Sequence, residues 1–203
     1  PLILRGARQV GKTTVVNEFG SQFDNYLYFN LEMNESVRLF EMDIPLNDLV
    51  NMLFASLGKS QREGSTLIFI DEIQNSPKTI ALLRYFYEQR PDLYVIAAGS
   101  LLENLVDVNV SFPVGRVMYM ALRPCSFYEF LGAIGKTNLL AVLSQKPEYT
   151  VVFHEQLMHH FNQYTIIGGM PEAVQRYAET QDIVAIEDVY ETLVQAYKDD
   201  SEK

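Results

Sequence analysis

The stretch GARQVGKT near the start of the chain, residues 6–13, matches the pattern G-x-x-x-x-G-K-[ST]. Its two glycines let the backbone curl so that successive N–H groups point at one anion. In this pattern Lys12 supplies positive charge to the outer phosphates, and the Thr13 hydroxyl binds Mg²⁺. The pattern therefore predicts a phosphate-binding loop. The predicted nucleotide contacts are Gly6, Ala7, Arg8, Gln9, Val10, Gly11, Lys12, Thr13 and Thr14.

A second stretch, LIFIDEIQ at 67–74, ends an apolar run in two adjacent acids. Asp71 is predicted to lie in the Mg²⁺ shell, together with Thr13. Glu72 points its carboxylate elsewhere and is a candidate to orient or deprotonate an attacking water. An ordinary exposed acidic pair is the alternative. A phosphate loop upstream favours the catalytic interpretation, because ligands of open α/β sheets bind at the carboxyl ends of the strands.

Two further polar residues fit the same chemistry. Ser100 follows the apolar run LYVIAAG and is predicted to hydrogen-bond the water or the phosphate. The alternative is that Ser100 caps a helix in LLENLV at 101–106, and one serine can do both. Arg116 precedes the last predicted strand, where its guanidinium could neutralise charge on the transferred phosphoryl group, in its own subunit or in a neighbour's. A surface salt bridge is the alternative for Arg116.

The elements that must position these residues alternate along the first part of the chain. Short apolar runs predict strands, and the runs LIFI and LYVIAA are apolar throughout, which is typical of strands covered on both faces of a parallel sheet. Longer amphipathic runs between them predict helices, with Gly20 and Gly58 as stops. The predicted strands are Leu2–Leu4, Tyr26–Leu31, Leu67–Ile70, Leu93–Ala98 and Val117–Leu122. The predicted helices are Thr13–Phe19, Pro45–Leu57, Pro77–Glu88 and Leu101–Val106. This alternation predicts an α/β fold.

The pattern changes after Leu122. From Ser126 to Lys198 the sequence shows only helix-length segments, and in the last of them Val189, Leu193 and Tyr197 fall on one face. We therefore predict an α/β phosphate-loop domain over residues 1–122 and a helical domain over residues 123–203. The chain opens on Pro1 at a strand and ends on KDDSEK, so we expect a protein truncated at both ends.

Composition and charge limit the classes of partner. A net charge of −10 argues against non-specific binding to nucleic acid. No apolar run reaches membrane-spanning length, and the single cysteine, Cys125, allows no internal disulfide, which suits a cytoplasmic protein. The stretch FHEQLMHHF resembles the zinc motif HExxH, but the second histidine would have to stand at the position of Met158. His159 lies on another face of the helix, so we predict no zinc site.

Several motifs occur together in a recognisable order. GARQVGKTT, LIFIDEIQ, AAGS, the pair Gly115-Arg116, LRPCSFYEFL at 122–131 and GGMPEAV at 168–174 cover nearly the whole chain. This set resembles the bacterial and archaeal AAA+ superfamily ATPases, in the group whose members often carry a C-terminal restriction-endonuclease-like domain. The last two motifs make the resemblance specific.

The resemblance implies particular roles. It implies Mg²⁺ and ATP at Lys12 and Thr13, metal-shell and catalytic carboxylates at Asp71 and Glu72, a polar sensor at Ser100 and an arginine finger at Arg116. It further implies that residues 123–203 form a helical lid and that an effector domain lies outside this sequence. One departure concerns the lid arginine of many relatives, because Pro171 and Glu172 stand where it is expected. Arg176, one turn on, is a possible substitute.

The leading functional prediction is an ATPase whose hydrolysis moves the lid and an attached effector domain, with possible homo-oligomers formed through Arg116. The alternative is an ATP-loaded switch or scaffold with negligible hydrolysis. A nucleotide or small-molecule kinase is less favoured, because the arginines are scattered and Glu72 would have no evident role. A GTPase is disfavoured by the lack of N-K-x-D.

Overall fold

The computed structural model describes residues 1–100, 115–145 and 150–201, with side chains through residue 198. Five parallel strands form one sheet in the order β2-β3-β4-β1-β5. They are β1 (Leu2–Arg5), β2 (Asn25–Asn30), β3 (Thr66–Asp71), β4 (Leu93–Gly99) and β5 (Met118–Ala121). The α/β fold and the parallel sheet are therefore confirmed.

Helices connect the strands. They are α1 (Lys12–Gly20), α2 (Asn34–Phe40), α3 (Leu46–Ser56) and α4 (Pro77–Gln89). Helix α3 stops before Gly58, which adopts φ 63° as a helix-terminating glycine does. Helix α4 begins after Ser76, whose Oγ accepts a hydrogen bond from Thr79 N–H at 3.2 Å. Helix α2 was not predicted from the sequence, and the predicted helix Leu101–Val106 lies outside the described residues.

Helices cover the sheet and give it a core on both faces. Ile68 and Ile70 belong to one hydrophobic cluster, and Leu67 and Phe69 belong to the other. All of these β3 side chains are fully buried, as the unbroken apolar run LIFI predicted. The strand that ends in Asp71 is thus buried on both of its faces.

Residues after Leu122 form a helical array. Its helices are α5 (Phe127–Ala133), α6 (Thr137–Leu143), α7 (His154–Ile167), α8 (Pro171–Thr180) and α9 (Glu187–Ser201). Helix α5 begins with a capping box, in which Ser126 Oγ accepts from Glu129 N–H and the Glu129 carboxylate accepts from Ser126 N–H. In α9, Val189 and Leu193 are buried as predicted, whereas Tyr197 is 43% exposed.

The contacts divide the chain into two compact units. One contains residues 1–7 and 11–122, and the other contains residues 8–10 and 123–203. Each has hydrophobic clusters of its own, and those of the helical unit are centred on Phe130 and Leu131. The assignment of these units as an ATPase domain and a lid stays a prediction. Within the described residues, no helix is long and apolar enough to cross a membrane.

Candidate functional site

The loop between β1 and α1 has an unusual backbone. Gly11, immediately before the helix, has φ 92° and ψ 18°, which a residue with a side chain adopts only under strain. Gln9 has φ 58°, uncommon for a residue that is not glycine. Helix α1 then begins, with Val15 N–H donating to Gly11 O at 3.0 Å. The segment GARQVG therefore forms a tight turn that leads into a helix N-terminus, the geometry that binds anions through backbone N–H groups.

Lys12 lies inside this loop rather than in solvent. Its side chain is only 6% exposed, and its Nζ donates hydrogen bonds to Gly6 O at 2.9 Å and Ala7 O at 2.8 Å. Burial of an ammonium group costs free energy that bonds to neutral carbonyls offset only in part. The loop thus keeps a positive charge beside the backbone that is predicted to hold phosphate.

Asp71 joins the end of β3 to this loop. Its Oδ2 accepts a hydrogen bond from Thr13 Oγ1 at 2.6 Å, and its Oδ1 accepts from Glu72 N–H at 3.1 Å. The side chain is 3% exposed. The predicted pairing of Thr13 with Asp71 is present, across a sequence separation of 58 residues. Both oxygen atoms of the carboxylate are therefore fixed by the surrounding chain.

Tyr28 is a neighbour of Asp71 that the sequence analysis missed. Its hydroxyl lies 3.5 Å from Asp71 Oδ2, and its ring stacks on Phe69. Burial, and next the negative charge of Asp71, raise the pKa of Tyr28. Tyr26, on the same face of β2, has a pKa raised to about 12, chiefly by burial. Both phenols thus stay protonated at neutral pH, and Tyr28 offers a donor to the carboxylate.

Glu72 follows Asp71 in the left-handed region, with φ 52° and ψ 45°. Gln74 Nε2 donates a hydrogen bond to Glu72 Oε2 at 2.5 Å. Gln74 stands within the DEIQ motif, but no role for it was predicted from the sequence. Lys12, Thr13, Asp71 and Glu72 are therefore brought together at the carboxyl edge of the sheet.

Ser100 follows β4 at the same edge. Strand β4 lies between β1 and β3, with Gly99 opposite Arg5 and Ala97 opposite Ile70. Ser100 Oγ is buried and has no hydrogen-bond partner within the described part of the chain. A buried hydroxyl that the described residues leave unsatisfied fits a site that takes up a polar ligand. Its alternative role as a helix cap concerns residues outside the described ranges.

The two candidate arginines have partners of their own. Arg116 Nε lies 3.3 Å from Glu88 Oε1, and the arginine side chain is 44% exposed. Hydrogen bonding from Arg84, with a smaller contribution from Arg116, lowers the pKa of Glu88. The salt bridge weighed as the alternative for Arg116 is therefore present. Arg176 in α8 pairs with Asp188 at 2.6 Å and with Glu172 at 3.3 Å, so it is engaged within the helical unit.

The oxygen ligands at the edge of the sheet suit Mg²⁺. This ion takes one or two protein carboxylates together with substrate phosphates and water, so Thr13 and Asp71 suffice as its protein ligands. Among residues 1–100, 115–145 and 150–198, no group of three or more histidines, cysteines or acids is arranged to hold a metal. A Mg²⁺ site shared with phosphates needs no such group.

This chain is similar to a known protein family and to solved structures. The sequence model of a family described as an AAA domain matches residues 1–131. A Walker-type ATPase of Pyrococcus abyssi has a similar structure, with a TM-score of 0.57 at 18% identity, over 100% of this chain and 71% of that one. At this identity the similarity concerns the fold alone. No curated protein sequence matches the chain.

Two origin-recognition structures bound to DNA match more weakly. The Drosophila ORC has a TM-score of 0.49 at 15% identity, over 88% of this chain and 53% of that one. The ORC1 protein of Aeropyrum pernix has a TM-score of 0.46 at 14% identity, over 87% and 52%. This chain spans about half the length of each, and at these scores we draw no functional argument from them.

Proposed function

Because this chain belongs to the AAA-domain family, we propose that it binds ATP and hydrolyses it with the help of Mg²⁺. The observation that carries the proposal is the 2.6 Å hydrogen bond between Thr13 Oγ1 and Asp71 Oδ2. It brings the hydroxyl that follows the loop lysine to the carboxylate at the end of β3. These are the oxygen ligands that a phosphate-bound magnesium ion needs from a protein.

In this proposal Thr13 and Asp71 hold the metal, which neutralises charge on the phosphates when it is bound. Lys12 sits against Gly6 O and Ala7 O. It balances charge on the outer phosphates as the reaction proceeds, with the loop N–H groups as further donors. The tight turn at Gly11 lets the backbone approach the anion closely.

Glu72 acts as the general base. A water oxygen attacks the γ-phosphorus while Glu72 accepts one of its protons, and the bond between that phosphorus and the bridging oxygen breaks. ADP leaves with the electron pair of that bond, and inorganic phosphate is released. Ser100, whose Oγ is buried at the same edge of the sheet, donates a hydrogen bond to the water or the γ-phosphate.

The test is the Mg²⁺ dependence of ATP hydrolysis in the wild type, in Asp71→Asn and in the control Asp43→Asn. Asp43 is an exposed acid of the same unit. Loss of the Asp71 charge should raise the Mg²⁺ concentration for half-maximal rate roughly 10- to 100-fold, and the control should titrate like the wild type. Equal Mg²⁺ titrations for Asp71→Asn and the wild type would contradict the proposal.

Arg116 is proposed to act on the phosphates of a neighbouring subunit in a homo-oligomer. The support is its position before β5 together with its partial exposure of 44%. A specific rate that climbs with protein concentration in the wild type, and stays flat in Arg116→Ala, is expected. A rate independent of concentration in both proteins would argue against this contact.

The helical unit is proposed to act as a lid whose rearrangement follows ATP turnover and drives an effector domain or protein partner. The support is that this unit has a core of its own, built around Phe130 and Tyr177. The net charge of −10 disfavours nucleic acid as the direct partner. We also propose membership of the subgroup with a C-terminal nuclease-like domain, and a cytoplasmic location.

One observation favours the alternative of an ATP-loaded switch. Arg176, the only lid arginine that the sequence analysis weighed, is engaged by Asp188 and Glu172. If no lid arginine reaches the γ-phosphate, the transition state of hydrolysis is stabilised by one positive charge fewer. A switch predicts that the wild type retains ATP without turnover over hours, whereas the ATPase proposal predicts repeated turnover.

A further inference from the structure

The turn after β3 is fixed in an uncommon conformation. Glu72, with φ 52° and ψ 45°, occupies the left-handed region, which residues other than glycine adopt only at a cost in free energy. Two hydrogen bonds hold it there. Glu72 N–H donates to Asp71 Oδ1 at 3.1 Å, and Asn75 N–H donates to Glu72 O at 3.1 Å. The chain therefore folds back on itself at Glu72, and the side chain two residues later can reach it.

Gln74 makes that contact. Its Nε2 donates to Glu72 Oε2 at 2.5 Å. A carboxylate only accepts hydrogen bonds, so the amide nitrogen must face Glu72 and the amide oxygen must face away from it. The bond occupies one carboxylate oxygen and leaves Glu72 Oε1 to accept a proton.

Among the residues that the structure describes, the other end of the same amide finds no partner. Gln74 Oε1 is buried, and it has no hydrogen-bond partner in the described ranges. A side chain with a purely structural role normally has both polar ends paired, because a buried unpaired acceptor is costly. An acceptor left open beside the general base fits a site that admits water.

We propose that Gln74 is a positioning residue that holds the Glu72 carboxylate in the orientation needed to accept a proton from the attacking water. This inference rests on the proposed ATPase function. A general base must lie within about 3 Å of the proton that it removes, and a glutamate side chain free to change rotamer meets that condition only part of the time. The turn at Glu72 fixes the backbone, and the Gln74 amide fixes the carboxylate.

The experiment measures kcat and KM for Mg-ATP in the wild type, Gln74→Ala, Gln74→Glu and the control Asn75→Ala. Gln74→Glu keeps the size of the side chain but removes the donor, so a loss in this variant is not a cavity effect. Asn75 is an exposed amide in the same turn. We expect kcat to fall roughly 10- to 100-fold in both Gln74 variants, with KM changed less than about threefold. Asn75→Ala should match the wild type.

The same substitutions in a Glu72→Gln background separate positioning from structure. If Gln74 acts through Glu72, Gln74→Ala should cause no further loss once the base has been removed. An equal loss in both backgrounds, or a wild-type kcat in Gln74→Ala and Gln74→Glu, would overturn the inference and leave the ATPase proposal standing. A wild-type protein without hydrolysis would overturn the ATPase proposal and this inference with it.

Discussion

The carboxyl edge of the sheet and the glycine pair of the helical unit, Gly168 and Gly169, both carry strong sequence motifs, yet they are built from opposite kinds of contact. At the edge of the sheet, Lys12 and Asp71 are charged and almost completely buried, and Gln9 and Glu72 have positive φ. Such features cost stability and are typical of functional sites.

The glycine pair instead connects neutral groups that satisfy one another. Cys125 N–H donates to Gly169 O at 2.7 Å, and the Tyr164 hydroxyl donates to Cys125 O at 2.8 Å. The Tyr190 hydroxyl donates to Ile167 O next to Gly168. The bond from Cys125 to Gly169 ties the LRPCSFYEFL segment to the GGMPEAV segment. This difference fits the proposed function, in which the first motifs serve chemistry and the later ones serve packing, so substitutions in each should show different losses.

Apart from the proposed general base Glu72, the largest functional effect is expected at Lys12. Lys12→Met removes a charge from the predicted phosphate site, so affinity for Mg-ATP should fall roughly 100-fold or more. The free energy of unfolding should change by less than about 1 kcal/mol, because the buried ammonium is itself costly. Calorimetric titration and urea denaturation measure the two quantities. The control is Lys59→Met, because Lys59 Nζ also donates a hydrogen bond to a backbone carbonyl, that of Tyr26. A loss in the free energy of unfolding as large as the one expected below for Gly169→Ala would contradict a functional rather than a structural role for Lys12.

Gly169→Ala should produce the largest loss of stability. A Cβ at this position would lie 2.4 Å from Cys125 O, a backbone atom that cannot move aside cheaply. We expect a loss of about 3 kcal/mol in the free energy of unfolding. The matched control is Gly132→Ala in α5, where a Cβ would meet only Leu140 Cδ1 at 3.6 Å. That variant should gain roughly 0.5–1 kcal/mol from helix propensity. Equal effects of the two substitutions would refute the packing account.

A smaller effect is expected at the cap of α5. Ser126→Ala should cost about 1 kcal/mol at neutral pH. Hydrogen bonds from Ser126 N–H and Oγ hold the pKa of Glu129 below its usual value. A lowered pKa in the folded protein stabilises it at pH values above the pKa of the unfolded chain, which is about 4.3. That contribution is lost as the pH falls through the pKa of Glu129 in the folded protein. Ser126→Ala keeps the N–H bond to Glu129 and loses only the Oγ bond, so part of the deficit of the variant should disappear as the pH falls below the pKa of the unfolded chain. A deficit that does not depend on pH would contradict this assignment.

The smallest effect should come from Arg176→Ala. Its pairs with Asp188 and Glu172 are exposed, and exposed ion pairs contribute little to stability. We expect an unchanged rate of ATP hydrolysis in a steady-state assay. A clear drop in kcat would show instead that Arg176 leaves these partners to reach the nucleotide, and would assign chemistry to the helical unit.

Much of the α/β unit could be predicted because its signals are local. The loop pattern and the apolar runs before Asp71 and Ser100 predict the strands, and they also predict that these residues lie at the carboxyl edge of the sheet. No tertiary information is needed for either prediction. Helix α2 was missed because its seven residues, NESVRLF, bury only Phe40 and show little periodicity. The contact of Tyr28 with Asp71 depends on the pairing of β2 with β3. The contact of Gln74 with Glu72 depends on the left-handed backbone conformation of Glu72. Neither contact can be predicted from the spacing of residues in the sequence.

The central claim is that the edge of the sheet hydrolyses ATP through Glu72. The most direct test measures bound ATP and released phosphate in the same samples of the wild type and Glu72→Gln. We predict equal ATP binding and a fall in the hydrolysis rate of roughly 100- to 10,000-fold in the variant. Equal phosphate release by both proteins would contradict the claim.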